Sequence, residues 1–285
     1  MQKIWVCGAR GQIGQAVNDV VDKLEFEMLD TDVDDLDVTD TDEVLRFGEM
    51  NRPDIIINCS GMTDISSCEE NPSQAFKVNA LGARNLAIVA AKMQAKMVQL
   101  STDDVFDGKS REPYTEFDIT NPGTVYGKSK LAGENYVKEF TTKHFIVRST
   151  WVYGKGQNFI NGFLKKVDAG EQLSIASDQF GSPTSANELA RFLLHLVHTS
   201  EYGTYHATNK GVCSRYAFAQ EILKMTGKTA SMQPVPTVMS DFSKVRPAYA
   251  VLDNFIMSMV PIYDFPDWQD SLREYLEERG LYHAE

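Results

Sequence analysis

Short apolar runs alternate with stretches in which apolar residues recur every three or four positions, and this alternation fills the first half of the chain. The runs at residues 3–7, 27–30, 54–58, 96–101 and 145–148 read as strands, and the periodic stretches beginning near 12 and 42, and spanning 74–92 and 126–140, read as helices. Strand and helix in turn are the sequence form of βαβ units around a parallel sheet. Ile55-Ile56-Ile57 has no polar alternation, which predicts a strand covered on both faces. After Trp151 the pattern loosens into short strands around 173–175 and 180–183, helices at 187–198 and 216–225, a proline-punctuated stretch from Pro234 to Pro266, and a closing amphipathic helix at 268–279. The expected architecture is α/β, a doubly wound parallel sheet over residues 1–152 with a contribution from about 185–206, and a smaller lobe over 153–285.

Composition narrows the function classes. The chain has 285 residues, 42% of them hydrophobic and 24% charged, enough to bury a sizeable core. A formal charge of −12 argues against a nucleic-acid partner, because phosphate binding needs a basic stripe. Residues 1–8 read as a strand rather than a signal peptide, and no apolar run approaches the roughly 20 residues that span a bilayer. A cytoplasmic protein with no membrane partner is expected. Cys7, Cys59, Cys68 and Cys213 lack CxxC spacing, so buried thiols are expected rather than disulfides or a zinc site.

Candidate chemistry begins at the first strand-to-helix turn. Gly8-Ala9-Arg10-Gly11-Gln12-Ile13-Gly14 follows the first strand directly and opens a helix. Glycines there let backbone approach a pyrophosphate, whose charge the helix N-terminus favours. The second strand ends near Asp30, placed to accept ribose hydroxyls and to repel a 2′-phosphate, which favours NADH. Arg10 argues the other way, since its fork of donors suits the 2′-phosphate of NADPH. The sequence leaves both cofactors open. Asp37 and Val38 are candidates for the adenine edge, with Thr39 and its neighbours as caps of the next helix. Cys59, Ser60 and Gly61, after the third strand, are small enough for close cofactor approach.

Further along, Tyr126 and Lys130 lie four apart on a predicted helix, so the ammonium can sit beside the phenol and favour its ionised form. Ser101-Thr102-Asp103-Asp104 places hydroxyls at the carboxyl edge of the sheet, where ligands of such folds bind.

These motifs, with Pro53 to Asn58, Ser101 to Gly108, Tyr126 to Glu134, Arg148 to Gly154, Asn158-Phe159, Asp178 to Thr184 and Arg246-Pro247, run in order along nearly the whole chain. Taken together they resemble the extended short-chain dehydrogenase/reductase family, with a Rossmann-like fold, and within it the dTDP-4-dehydrorhamnose reductases. The resemblance implies NADPH- or NADH-dependent reduction of the 4-keto group of a dTDP-sugar, dTDP-4-dehydro-L-rhamnose, by a monomer or homodimer. It implies Thr102, Tyr126 and Lys130 as the catalytic triad, Tyr126 and Lys130 also touching the cofactor, and Asn79 near the site. It further implies a substrate pocket of Thr102, Asp103, Asp104, Trp151, Asn158, Pro183, Thr184 and Arg246. The chain departs from the family's pattern at Ser60 to Met62, Asp104, Arg215 and Tyr249-Ala250, and the last three departures leave open a reductase or epimerase of another nucleotide-sugar. A noncatalytic subunit is a separate alternative, because the methionine adenosyltransferase beta subunit resembles these reductases, and the intact Thr102, Tyr126 and Lys130 count against it. No metal is expected: Gln15 is neutral where an acidic site would want a carboxylate, and Glu188 completes a capping box with Ser185.

Overall fold

The computed structural model describes residues 1–239 and 247–283. Five strands, β1 (Gln2–Cys7), β2 (Phe26–Thr31), β3 (Ile55–Asn58), β4 (Lys96–Thr102) and β5 (His144–Ser149), join an edge strand at Gly203–His206 in one parallel sheet. Its spatial order is Gly203–His206, β5, β4, β3, β1, β2.

Alternation along each strand builds two cores. Ile4, Val6, Ile55, Ile57, Val98, Leu100, Phe145 and Val147 point to one face. They meet α1 (Gln12–Val20) and α8 (Ala186–Val197) through Ala16, Val17, Leu189 and Leu193. Trp5, Cys7, Ile56, Met97 and Ile146 point to the other. There they meet α2 (Thr41–Asn51), α5 (Ala83–Met93) and α6 (Val125–Phe140) through Val44, Leu86, Val89 and Val137. Burying each such side chain contributes about 1.5–3 kcal/mol, which is why the unbroken Ile55–Ile57 run sits in the sheet's interior. A third core forms the lobe, where α7 (Phe159–Asp168), α9 (Arg215–Thr226) and the C-terminal helix Trp268–Glu278 pack Ile160, Phe163, Phe218, Ile222, Trp268 and Leu272 together.

Three differences from the sequence pattern have physical causes. The helix expected over 74–92 is broken into α4 (Pro72–Phe76), a π-helical turn Lys77–Gly82 and α5. At the break Gly82 packs against Val38, where a Cβ would lie 2.8 Å from Val38 Cγ2. Two helices, α3 (Ile65–Glu70) and α7, occupy stretches without an expected element, α7 being capped by Asn158, whose Oδ1 accepts the Asn161 amide at 3.0 Å. Only half of the capping box at Ser185 forms. Ser185 Oγ accepts the Glu188 amide, but the Ser185 amide donates to Asn209 Oδ1 at 2.9 Å, and the Glu188 carboxylate goes to Arg191 and Tyr263.

The sheet order reverses at β1, with β2 on one side of it and β3 and β4 on the other. Ligands of open α/β sheets bind beyond the carboxyl ends of the strands at such a switch point. Here those ends carry Gly8, Cys59, Thr102 and Ser149.

Candidate active site

A cavity of about 480 Å³ opens at those strand ends. Gly11, Gln12 and Ile13 line one side, Cys59 to Gly61 the floor, Thr102, Asp103, Tyr126 and Lys130 the centre, and Trp151, Asn158, Phe159 and Arg215 the lobe side.

The glycine loop is shaped by close backbone approach. A Cβ on Gly14 would lie 2.4 Å from the Gly8 carbonyl oxygen, and one on Gly8, whose φ is +76°, would lie 2.8 Å from the Ser60 amide nitrogen. Asp40 caps α2 and Thr124 caps α6, but α1 follows Gly11, which offers no side-chain cap. Its first amides and its dipole are therefore directed at the cavity, the arrangement a dinucleotide pyrophosphate requires. Gln12 Oε1 and Thr150 Oγ1, on two residues lining the cavity, are buried with no protein partner and suit a polar ligand. These residues fit a nicotinamide dinucleotide.

The second strand runs to Thr31, whose carbonyl accepts the Gly8 and Ala9 amides, and it is Asp32 rather than Asp30 that accepts the Arg10 amide at 2.9 Å. Asp30 is exposed on β2. The Arg10 guanidinium is paired with Asp34 and Asp35, both at 2.7 Å, so the candidate for a 2′-phosphate is held by acids. Asp37 accepts the Thr39 amide at 2.8 Å, while Val38 is packed in the core between α2 and α5, away from the cavity. Burial pushes the Cys59 thiol up to about 12, so it lines the floor as a protonated, small group.

Two glycines bring the catalytic candidates together. Gly127 lets the start of α6 rest on the turn after β4, since a Cβ there would lie 2.0 Å from the Asp104 carbonyl oxygen. Gly133 does the same against the π-helical turn, where a Cβ would lie 2.4 Å from the Asn79 carbonyl oxygen. Tyr126 and Lys130 are thereby buried beside Thr102 in one cavity. Thr102 Oγ1 donates to Asp103 Oδ1 at 3.0 Å and accepts the Asp104 amide at 3.2 Å.

Burial lowers Lys130 to about 8, with the charge of Glu134 holding it up. Glu134 is itself fully buried. Burial raises its pKa, but hydrogen bonds and charge from Arg148, with a bond from Ser101, outweigh that and leave it below the usual carboxylate range. Arg148 grips it with two bonds, at 2.9 and 2.7 Å.

Asn79 does not line the cavity. Its amide donates to the Met62 carbonyl and to Ser129 Oγ, both at 2.9 Å, and its oxygen accepts the Met62 amide at 2.8 Å. It thus ties the floor loop to α6. Asp104 is buried outside the cavity, under α6. Pro183 and Thr184 also lie outside it, the Thr184 amide donating to the Trp151 carbonyl at 3.3 Å. Asn158 lines the cavity while capping α7, and Arg246 lies outside the described residues.

The lobe wall holds Trp151, which the sequence placed in the pocket, and Arg215, which it did not. Trp151 has φ of 47°, a strained conformation for a bulky residue. Its indole lies over Gly181, where a Cβ would be 2.5 Å from the ring, and the Arg215 guanidinium sits 3.4 Å from its centroid and 4.8 Å from that of Phe159. Arg215 was visible in the sequence only as a departure from a family pattern.

Comparison with known proteins decides the family. The model for the RmlD substrate binding domain matches residues 1–280. A solved dTDP-4-dehydrorhamnose reductase from Clostridium acetobutylicum is 40% identical, with a TM-score of 0.95, covering 98% of this chain and all of that one. The chain belongs to the dTDP-4-dehydrorhamnose reductase family of extended short-chain dehydrogenases/reductases. The family's enzyme from Bacillus anthracis, solved in complex with NADP, is 35% identical with a TM-score of 0.93, over 98% of this chain and 99% of that one. The spore coat polysaccharide biosynthesis protein SpsK of Bacillus subtilis is also 35% identical, over 98% of this chain and 99% of its own length. The α/β Rossmann-like architecture read from the sequence agrees with these neighbours. No helix among the described residues is long and apolar enough to cross a membrane.

Proposed function

We propose that this chain reduces the 4-keto group of dTDP-4-dehydro-L-rhamnose to give dTDP-L-rhamnose, using NADPH or NADH. The observation that carries the reading is one cavity shared by the uncapped start of α1, Thr102, Tyr126 and Lys130. Its relatives named as dTDP-4-dehydrorhamnose reductases, one solved with NADP, support it.

Bound nicotinamide supplies the hydride that the ketone carbon accepts. The residues manage the oxygen. Tyr126 donates its phenolic proton as the carbonyl oxygen gains charge, and Thr102 turns its hydroxyl proton from Asp103 Oδ1 to the same oxygen and holds it within reach. The Lys130 ammonium, on the cavity side near Cys59 and Gly61, favours the phenolate that Tyr126 leaves behind. With its pKa near 8 it is mostly protonated at neutral pH. Gly11 to Ile13 hold the pyrophosphate at the start of α1.

The test mixes purified protein with enzymatically generated dTDP-4-dehydro-L-rhamnose and NADPH or NADH, follows nicotinamide absorbance and identifies the sugar product. Equimolar cofactor oxidation and dTDP-L-rhamnose are expected. Cofactor binding without oxidation would overturn the reading and favour another nucleotide-sugar or a noncatalytic subunit.

A further inference from the structure

Hydroxyl side chains close the two middle strands of the sheet at the cavity: Ser101 and Thr102 on β4, Ser149 at the end of β5, and Thr150 just beyond it. All but the last have an acceptor within the protein. Ser101 donates to Glu134 at 2.5 Å, Thr102 to Asp103 at 3.0 Å and Ser149 to the Ala207 carbonyl at 2.7 Å. Thr150 differs. It is 1% exposed and lines the cavity, yet its Oγ1 is buried with no partner among the described residues. A hydroxyl buried unpaired destabilises the fold, and valine would fill the same space without that penalty. The chain immediately after it is strained as well, Trp151 having φ of 47° with its indole laid over Gly181. Unpaired buried groups and local strain gather where a ligand completes the site.

The order of the sheet says which ligand group reaches Thr150. β1, whose following turn and helix suit the pyrophosphate, has β2 on one side and β3, β4 and β5 in turn on the other. Asp32, after β2, lies beside the Arg10 amide on the side where the adenosine half of a dinucleotide binds. The nicotinamide half then runs the other way, past Cys59 to Gly61 and Lys130, and hydride transfer requires its ring beside Thr102 and Tyr126. Ser149 is in register with Thr102 across β4 and β5, so Thr150 stands at the far end of that track. The polar group carried by a nicotinamide ring is its carboxamide, a neutral carbonyl acceptor and NH2 donor in one plane. A threonine hydroxyl can donate to the first or accept from the second. A sugar hydroxyl is the rival neutral partner, and the titrations below separate the two.

We infer that Thr150 Oγ1 hydrogen-bonds the carboxamide of the bound nicotinamide and fixes the turn of the ring beside Thr102 and Tyr126. The assignment rests on the reductase reading above and adds a cofactor-positioning residue to it. A held carboxamide stops the ring rotating about its ribose bond, which keeps one face toward the ketone.

Thr150→Val removes the hydroxyl and keeps the shape, and Thr150→Ser keeps the hydroxyl. Wild type and both variants are titrated calorimetrically with NADPH and its nicotinamide-free fragment 2′-phospho-ADP-ribose, with NADH and ADP-ribose as a second pair, and with dTDP-L-rhamnose. The valine variant should lose about 3- to 30-fold in affinity for NADPH and NADH, the scale of one buried neutral hydrogen bond, with the fragments and dTDP-L-rhamnose unchanged. The serine variant should stay within about threefold of wild type. Without ligand the valine variant should melt at or above the wild-type temperature, because the hydroxyl has no partner in the protein. Wild-type NADPH and NADH affinity in the valine variant would overturn the assignment, as would an equal loss for the fragments or a loss confined to dTDP-L-rhamnose. So would a ligand-free valine variant melting about 3 °C or more below wild type, since the hydroxyl would then serve the fold. Those results leave the reductase reading intact. A wild type that binds neither NADPH nor NADH would instead overturn the reductase reading, and this assignment with it.

Discussion

Gly127→Ala isolates the role of close packing in assembling the site. The added Cβ would lie 2.0 Å from the Asp104 carbonyl oxygen, 2.8 Å from its carbon and 3.0 Å from Pro122 Cβ. Ordinary contact begins near 3.4 Å. Two of the three obstacles are backbone, so no rotamer relieves the clash, and the start of α6 must retreat from the turn after β4 by about 1 Å. Alanine would favour the helix by at most about 1 kcal/mol over glycine, and less in the first turn. Overpacking of this kind costs about 1–3 kcal/mol, so the clash wins and net stability falls. The larger effect is on rate. Tyr126 precedes Gly127 and Thr102 lies on the other side of the contact, and a misplacement of about 1 Å lowers turnover on the order of a hundredfold. Urea unfolding reads the stability, steady-state reduction reads kcat, and NADPH affinity should fall far less than kcat because the start of α1 is untouched. Wild-type kcat and stability in this variant would refute the argument that Gly127 sets the Tyr126–Thr102 approach.

Other outcomes follow from the site's electrostatics. Burial lowers Lys130 to about 8, so the ammonium is present below that pH and lost above it, and kcat should fall as pH rises through about 8. A profile flat to pH 10 would contradict this. Asp34→Asn with Asp35→Asn frees the Arg10 fork and removes two charges near it, and should raise affinity for NADPH relative to NADH; an unchanged ratio in cofactor titrations would place Arg10 outside the adenosine site. Asn79→Ala strands the Met62 amide and carbonyl, and should cost about 2–4 kcal/mol in urea unfolding and raise the KM for cofactor. Stability within 0.5 kcal/mol of wild type, the range of about an ordinary surface change, would argue that Asn79 does not tie the floor loop to α6.

Much of the frame was legible because local pattern and tertiary role agree. The glycines at 8, 11 and 14 follow a strand and open a helix in sequence as in space, and the Tyr126–Lys130 spacing declares a shared helix face. The amphipathic pattern of α7, Ile160, Phe163, Leu164 and Val167, was equally present but lies beyond the loosened stretch around Trp151. The remainder depends on contacts between distant segments. That Asp32 rather than Asp30 meets the glycine loop follows from β2 continuing to Thr31 through pairing with Cys7, and the end of a strand is weakly marked in sequence. The Asn79 side chain is held by Met62, 17 residues earlier, a partner no local pattern marks. Arg215 reaches the cavity because the lobe folds back over Trp151 and Phe159, a placement no local pattern encodes.

The central claim, proton donation by Tyr126 to a 4-keto sugar, is tested most directly by single-turnover reduction of dTDP-4-dehydro-L-rhamnose by wild type and Tyr126→Phe, each preloaded with NADPH. The account predicts dTDP-L-rhamnose from wild type and at least about a hundredfold slower formation from the phenylalanine variant, with NADPH affinity unchanged. Reduction by the variant within a few-fold of the wild-type rate would contradict it.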